Sequence, residues 1–206
     1  YTKIYGKKDT AITSYTLAHS GSGSFSATGL SGTGLSLNAA TGVLSGTPIL
    51  AGTSNITVTA TGTTAGGGTV TDTKVYTIVI SDPSSFPFRM DLTLSGYTGS
   101  STLTDFPVVV SLSSSITGFS YNGFLAKDLE GKSTGYDLRA FDSNGRILPY
   151  EIENWDPEGV SDVWVRTYDL NSSTSITLAW ANAAETDIKP YTYDGSVWTN
   201  NFAGVY

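Results

Sequence analysis

The stretch SNITVTATG, Ser54–Gly62, puts Ile56, Val58 and Ala60 on one side and Thr57, Thr59 and Thr61 on the other. Strict alternation over this length has the period of an extended chain, so it predicts a half-buried strand. KVYTIVI, Lys74–Ile80, repeats the pattern, with Val75, Thr77 and Val79 set against Tyr76, Ile78 and Ile80. TTAGGGTVTD lies between the two runs and predicts a hairpin loop. Gly66–Gly68 is no phosphate cradle, because neither a helix nor a Lys-Ser/Thr pair follows it. The two runs read as the last hairpin of an all-β sandwich.

The pattern breaks at SDPSSFPF, Ser81–Phe88, whose two prolines and polar residues suit a short linker. New strand signals follow in MDLTLSG, FPVVVSL, GYDLRAFD, ILPYEIENW, SDVWVRTYDL and SITLAWAN, joined in part by the turns DSNGR and WDPEGVSD. At most a short helical piece is expected, near YNGFLAKD. A chain of 206 residues fits two domains, and its charge divides at the same place. Thr10 to Thr71 contains no Asp, Glu, Lys or Arg, whereas Arg89 to Tyr206 carries fifteen acidic and seven basic residues. The expected architecture is all-β: two tandem antiparallel sandwiches, the first at 1–82 and the second at 88–206, with a linker at 83–87. The acidic second half argues against nucleic acid as a partner, since phosphate binding needs clustered cations. No apolar run approaches a membrane span, so no membrane contact is expected and the chain reads as a soluble, mature or excised piece. The absence of Cys excludes disulfides and thiolate metal sites without fixing the compartment.

GLSLNAATGVLSGTP, Gly34–Pro48, spells a strand, a Thr-Gly turn, a short strand and a Gly-Thr-Pro break. With AGT at Ala51–Thr53 and the following ITVTAT run, it closely resembles the putative Ig domain family, cadherin-like modules that recur in large bacterial surface proteins. That resemblance covers about residues 5 to 82. The second half resembles the family called domain of unknown function 2341, through LSGYTGSSTLTDFPVVVSL, DLRAFDSNGRILPYEIENWDPEG, DVWVRTYDL and GSVWTNNFAGVY. That family typically precedes a concanavalin-like or laminin-G-like lectin sandwich, whose first strand would begin at about Ala203. Neither family carries an established catalytic set. The resemblances imply a setting instead: an extracellular, cell-surface or virion-surface protein built of modules, such as an adhesin, filament or fibre.

Three constellations remain to be weighed on chemistry. Glu151, Glu153, Asp156 and Glu158 are the most enzyme-like, because paired carboxylates could serve a glycosidase and Glu151 and Glu153 would project together about 7 Å apart. The favoured reading is the solvent face of a strand whose Tyr150, Ile152 and Asn154 face the other way, and no catalytic residue is assigned. Asp82, Asp91, Asp142 and Asn144 are the calcium candidates, with a cation at the interdomain linker as the one cofactor alternative. DSNGR lacks further acidic ligands, so ordinary turn chemistry is favoured there. Among the aromatics Tyr150, Trp155, Trp164, Trp180, Tyr191, Tyr193 and Trp198, the strand-centre positions of Trp164 and Trp180 predict core. Trp155, Tyr191 and Tyr193 lie at turns and are the candidate glycan-stacking residues. His19 has no second ligand for a metal or a triad.

The expectation is a non-catalytic stalk or spacer of an extracellular modular protein. Its partners would be neighbouring domains of the same polypeptide, cell-surface glycans, and other copies paired through strand edges. A carbohydrate-binding module is the alternative, and an accessory part of a glycoside hydrolase the third. YTKIYGKKD, Tyr1–Asp9, reads as a first strand, a linker, or a strand given to a neighbour.

Overall fold

The computed structural model describes residues 2–17, 23–94 and 96–199. The expectation for His19, and that for a lectin strand at Ala203, fall outside them. The chain divides into two compact units, one of Tyr1–Asp82 with Asn144–Arg146 and one of Pro83–Ser143 with Ile147–Tyr206. Each is made of strands with, among the described residues, only short 3-10 turns beside them. No helix there is long and apolar enough to cross a membrane.

The first unit contains β1 (Lys3–Lys7), β2 (Tyr15–Thr16), β3 (Gly23–Thr28), β4 (Leu35–Leu37), β5 (Val43–Gly46), β6 (Gly52–Thr63) and β7 (Thr69–Ser81). They form two sheets, in the orders β1-β7-β6-β3 and β2-β5-β4. The alternation in β6 and β7 decides which side is buried. Ile56 and Val58 pack with Tyr76, Ile78 and Ile80, and the short sheet closes over them with Leu35 and Leu44. The outward set is hydroxyl-rich: Ser24, Thr61 and Thr71 lie in one cross-strand row and Ser26, Thr59 and Thr73 in the next. Ser and Thr hydroxyls therefore solvate a face that has no charged side chain in those rows. β6 and β7 are joined by the expected hairpin, closed where Thr64 donates its N–H to Gly68 O at 2.8 Å. β1 departs from the antiparallel expectation, because it joins β7 in parallel, Lys3 opposite Thr77 through Lys7 opposite Ser81. After β1 the chain passes to β2 in the other sheet, so no hairpin constrains the pair to run antiparallel.

The GLSLNAATGVLSGTP motif folds as its spelling predicts. Asn38 turns its Oδ1 onto the N–H groups of Ala40 and Thr41, and Gly42 follows at φ +68°, which brings β5 back beside β4.

The second unit contains β8 (Phe88–Thr93), β9 (Leu103–Ser113), β10 (Arg139–Asp142), β11 (Ile147–Leu148), β12 (Tyr150–Asn154), β13 (Val160–Leu170) and β14 (Ser175–Trp180). Sheets ordered β11-β10-β14-β8 and β12-β13-β9 enclose a core that includes Leu112, Phe124, Leu138, Tyr150, Val163, Val165 and Trp180. The helical piece near YNGFLAKD is a single 3-10 turn, Tyr121–Gly123. Residues 83–87 are not a free tether. Phe86 is buried against Phe141 and Ala179, and the Arg89 guanidinium donates to the carbonyls of Pro83, Ser84 and Phe86.

Candidate functional site

The outer face of the β12-β13-β9 sheet groups carboxylates, indoles and a guanidinium. Register explains the grouping: Glu151 stands opposite Trp164, which stands opposite Val109, so the three share one face. Trp198, from the segment after β14, lies over this face with its ring centroid 5.1 Å from that of Trp164. The indole of Trp198 donates to Glu151 Oε2 at 2.9 Å, and that of Trp164 to Glu153 Oε2 at 2.6 Å. Arg166, next along the same face, donates to Thr199 Oγ1 at 3.1 Å and lies 3.7 Å from Asp105.

This corrects the sequence reading in one respect. Trp164 is not a core residue: Val163 and Val165 fill the core with no exposure, which turns Trp164 outward by the period of two. Trp180 is core as expected, fully buried and stacked on Phe124 with centroids 5.4 Å apart.

The three candidate glycan-stacking residues differ in exposure. Trp155 is half-buried, edge-on to Tyr121 and Phe124, with its indole N–H on Ser133 Oγ at 3.2 Å. Tyr191 is half-buried and edge-on to Tyr150 at 5.8 Å. Burial pushes its hydroxyl up to about 12. Tyr193 alone is open to solvent, at 69% exposure.

The acidic cluster divides between β12 and the turn that follows it. Glu151 and Glu153 each accept from an indole, while Asp156 uses Oδ1 to accept the N–H of Glu158 in the turn before β13. Both strand carboxylates are thus acceptors that orient an aromatic ring. Of the calcium candidates, Asp82 lies 3.5 Å from Lys8 Nζ and Asp91 accepts from Thr177 Oγ1 at 2.6 Å. Asp142 and Asn144 stand in or beside the turn between β10 and β11. Among the described residues, no three His, Asp or Glu side chains are grouped to hold a metal.

One polar constellation was not singled out from the sequence. Asp137 is fully buried and accepts the N–H groups of Leu125, Ala126 and Ala181. Arg139, 2% exposed, spends its guanidinium on the main-chain oxygens of Tyr136, Leu138, Glu185 and Asp187. Tyr150 donates to Leu138 O at 2.8 Å, and burial raises its hydroxyl well above the ordinary tyrosine value. The signal lay in YDLRAFD, where a carboxylate and a guanidinium flank a leucine at a strand entrance. With partners on the main chain of four segments, the group acts as a fastening of the fold.

None of the curated proteins matches the chain. Among solved structures it is similar to the human desmocollin-1 ectodomain, at 14% identity and a TM-score of 0.29. The alignment covers 86% of this chain and 32% of that one, so the chain spans about a third of the ectodomain's length. Residues 2–81, the first sandwich, match the family model described as Putative Ig domain.

Proposed function

We propose that the chain is a non-catalytic spacer or stalk segment of a large modular extracellular protein or fibre, with its first sandwich carrying tension. The observation that carries this reading is the parallel pairing of β1 with β7. Force applied to the chain before Lys3 and after Ser81 pulls β1 toward its start and β7 toward its end. Two parallel strands drawn in opposite directions slide past one another, so every ladder bond between them is loaded together. An antiparallel terminal pair would instead be opened one bond at a time. The ladder is closed at both ends: Thr77 donates to Thr2 O at 2.8 Å and Lys8 donates to Ser81 O at 2.9 Å. The Putative Ig match supports the same reading, since such domains are typical of extracellular proteins. Neighbouring domains of the same polypeptide are then the partners that transmit force. The second sandwich is read as the module of unknown function that precedes a lectin-like domain.

Single-molecule force spectroscopy tests this. Because the chain has no cysteine, one engineered thiol at each end of residues 2–82 defines the pulling axis. A second axis, through Ala51→Cys just before β6 and the same C-terminal handle, pulls on the end where Gly52 lies opposite Ile80 and peels β7 from β6 one bond at a time. Unfolding force should be markedly higher along the first axis. Equal forces along the two would refute the mechanical reading.

A second reading, carbohydrate binding, is favoured by the Trp164–Trp198 pair on an outer sheet face with carboxylate acceptors beside it. Indole faces can stack on sugar C–H groups while carboxylates accept hydroxyl protons. Glycan-array binding that is lost in Trp198→Ala and retained in Tyr193→Ala would place such a site on this sheet. Loss in Tyr193→Ala alone would place it in the loop after β14.

A further inference from the structure

The sequence carries the Asn-x-Ser/Thr pattern of an N-glycan acceptor twice, as Asn55-Ile56-Thr57 and as Asn171-Ser172-Ser173. In a chain this rich in Ser and Thr the pattern has little weight by itself. The local structure separates the two.

Asn171 opens the turn at residues 171–174, which joins β13 to β14. Ser173 donates both its N–H, at 2.9 Å, and its hydroxyl, at 2.7 Å, to Asn171 Oδ1. The third residue of the pattern, whose hydroxyl marks an acceptor asparagine, is therefore already seated on the asparagine amide. A main-chain N–H can only donate, which identifies the atom it meets as oxygen and leaves Nδ2 as the other amide atom. Nδ2 gives no hydrogen bond to a described residue and keeps contact with solvent. Thr174 braces the turn from within: its Oγ1 accepts the Asn171 N–H at 2.8 Å and donates to Asp169 O at 2.9 Å. Ser172 and Ser173 at the tip are exposed.

Asn55 is placed differently. It lies inside β6 with its backbone opposite Thr77, and its Oδ1 accepts the Thr77 hydroxyl at 2.9 Å. The ladder holds that segment extended, so it cannot bend into an enzyme's cleft without leaving the sheet. The flanks differ as well, since Asp169 stands two residues before Asn171 and Thr53 two before Asn55. A transferase that selects an acid at that place reads only the Asn171 pattern.

We propose that Asn171 is an N-glycan acceptor, and that Asn55, despite the same pattern, is passed over in the folded protein. The donor is a lipid-linked diphosphate oligosaccharide and the catalyst an oligosaccharyltransferase. Asn171 Nδ2 forms the bond to the anomeric carbon of the first sugar. The bond from that carbon to the diphosphate oxygen breaks, its electron pair leaving with the diphosphate, and one Nδ2 proton passes to a base of the transferase. The proposal rests on the extracellular setting of the spacer reading and not on the first sandwich bearing force.

Transfer in vitro to the purified, folded full chain tests it, with a single-subunit oligosaccharyltransferase that needs no preceding acid, its lipid-linked oligosaccharide and its divalent cation. Intact mass should rise by one glycan, and peptide mapping should place it on Asn171. Asn171→Gln and Ser173→Ala should each abolish the gain, Ser173→Thr should keep it, and Asn55→Gln should leave it unchanged. A synthetic peptide spanning Asn55 should accept a glycan, because no sheet restrains it. A folded chain that takes no glycan, or takes it at Asn55 instead of Asn171, overturns the proposal. So does transfer to Asn171 that survives Ser173→Ala. The reaction needs neither export nor tension, so its failure is separate from a failure of the force measurements.

Discussion

Arg139 donates Nη2–H to the main-chain oxygen of Glu185 at 2.6 Å, across 46 residues of sequence. The same guanidinium serves Asp187, Tyr136 and Leu138, so one buried cation holds the segment after β14 against the start of β10. Arg139→Met would leave four carbonyls without this donor and is expected to cost about 3–5 kcal/mol. Arg139→Lys keeps the charge but not the planar fork, and should recover only part of the loss. Urea denaturation of the second unit measures both, and a cost below about 1 kcal/mol for the methionine variant would contradict the fastening role.

Alkaline pH should loosen the same region. Burial pushes the Tyr191 hydroxyl up to about 12, against the opposing pull of the Arg139 guanidinium, and raises Tyr150 as well. An unfolded tyrosine loses its proton near 10, so above that pH the unfolded chain binds fewer protons than the folded one. Stability is then fully present below about pH 10 and falls above it, by about 1.4 kcal/mol per pH unit for each such group. The Tyr191 hydroxyl is buried with no hydrogen-bond partner among the described residues, so Tyr191→Phe should be neutral or stabilising at pH 7. Its denaturation midpoint should also decline less steeply between pH 10 and 11.5, and an unchanged slope would show that Tyr191 titrates as an ordinary tyrosine.

Much of this molecule was legible because strand alternation and turn chemistry are local. The faces of β6, the glycine hairpin and the Asn38 turn need nothing beyond neighbours two to four residues away. Trp164 was misplaced for a reason that is equally physical. In VWV all three residues are apolar, which masks the alternation, but Asp162 and Arg166 two places to either side share the face of Trp164 and mark it as the outward one. The Trp–Glu contacts join residues 11 and 47 apart, and the Arg139 fastening spans 46 to 48. No local pattern encodes those separations. The parallel pairing of β1 was hidden likewise, since KIYGK carries a strand signal but no partner.

Gly34 tests the local part of that account. It stands at φ +79°, and a Cβ there would run into the main-chain oxygen of Thr47, whose own N–H donates to Gly34 O at 3.1 Å. Gly34→Ala therefore combines a left-handed backbone with a close approach that a side chain would break. A loss of about 2 kcal/mol or more is expected, read as a lowered melting temperature of the first unit alone. A melt equal to the wild type would mean that the glycine in GLSL answers to something other than backbone geometry.

Trp164 and Trp180, identical side chains on strands of different sheets in the second unit, should answer oppositely to the same truncation. Trp180 has no exposure, stacks on Phe124 at an interplanar angle of 7° and on Phe88 at 11°, and its removal opens a cavity the size of an indole. Trp180→Ala should cost about 3–5 kcal/mol. Trp164 is half-buried on the outer face, where its loss forfeits one hydrogen bond to Glu153 and contact with Trp198 but leaves no interior void. Trp164→Ala should cost no more than about 1.5 kcal/mol. It should also change the near-ultraviolet circular dichroism, since the 5.1 Å pair of indoles is broken. Equal costs for the two variants would return Trp164 to the core, and would remove the aromatic face on which the carbohydrate reading depends.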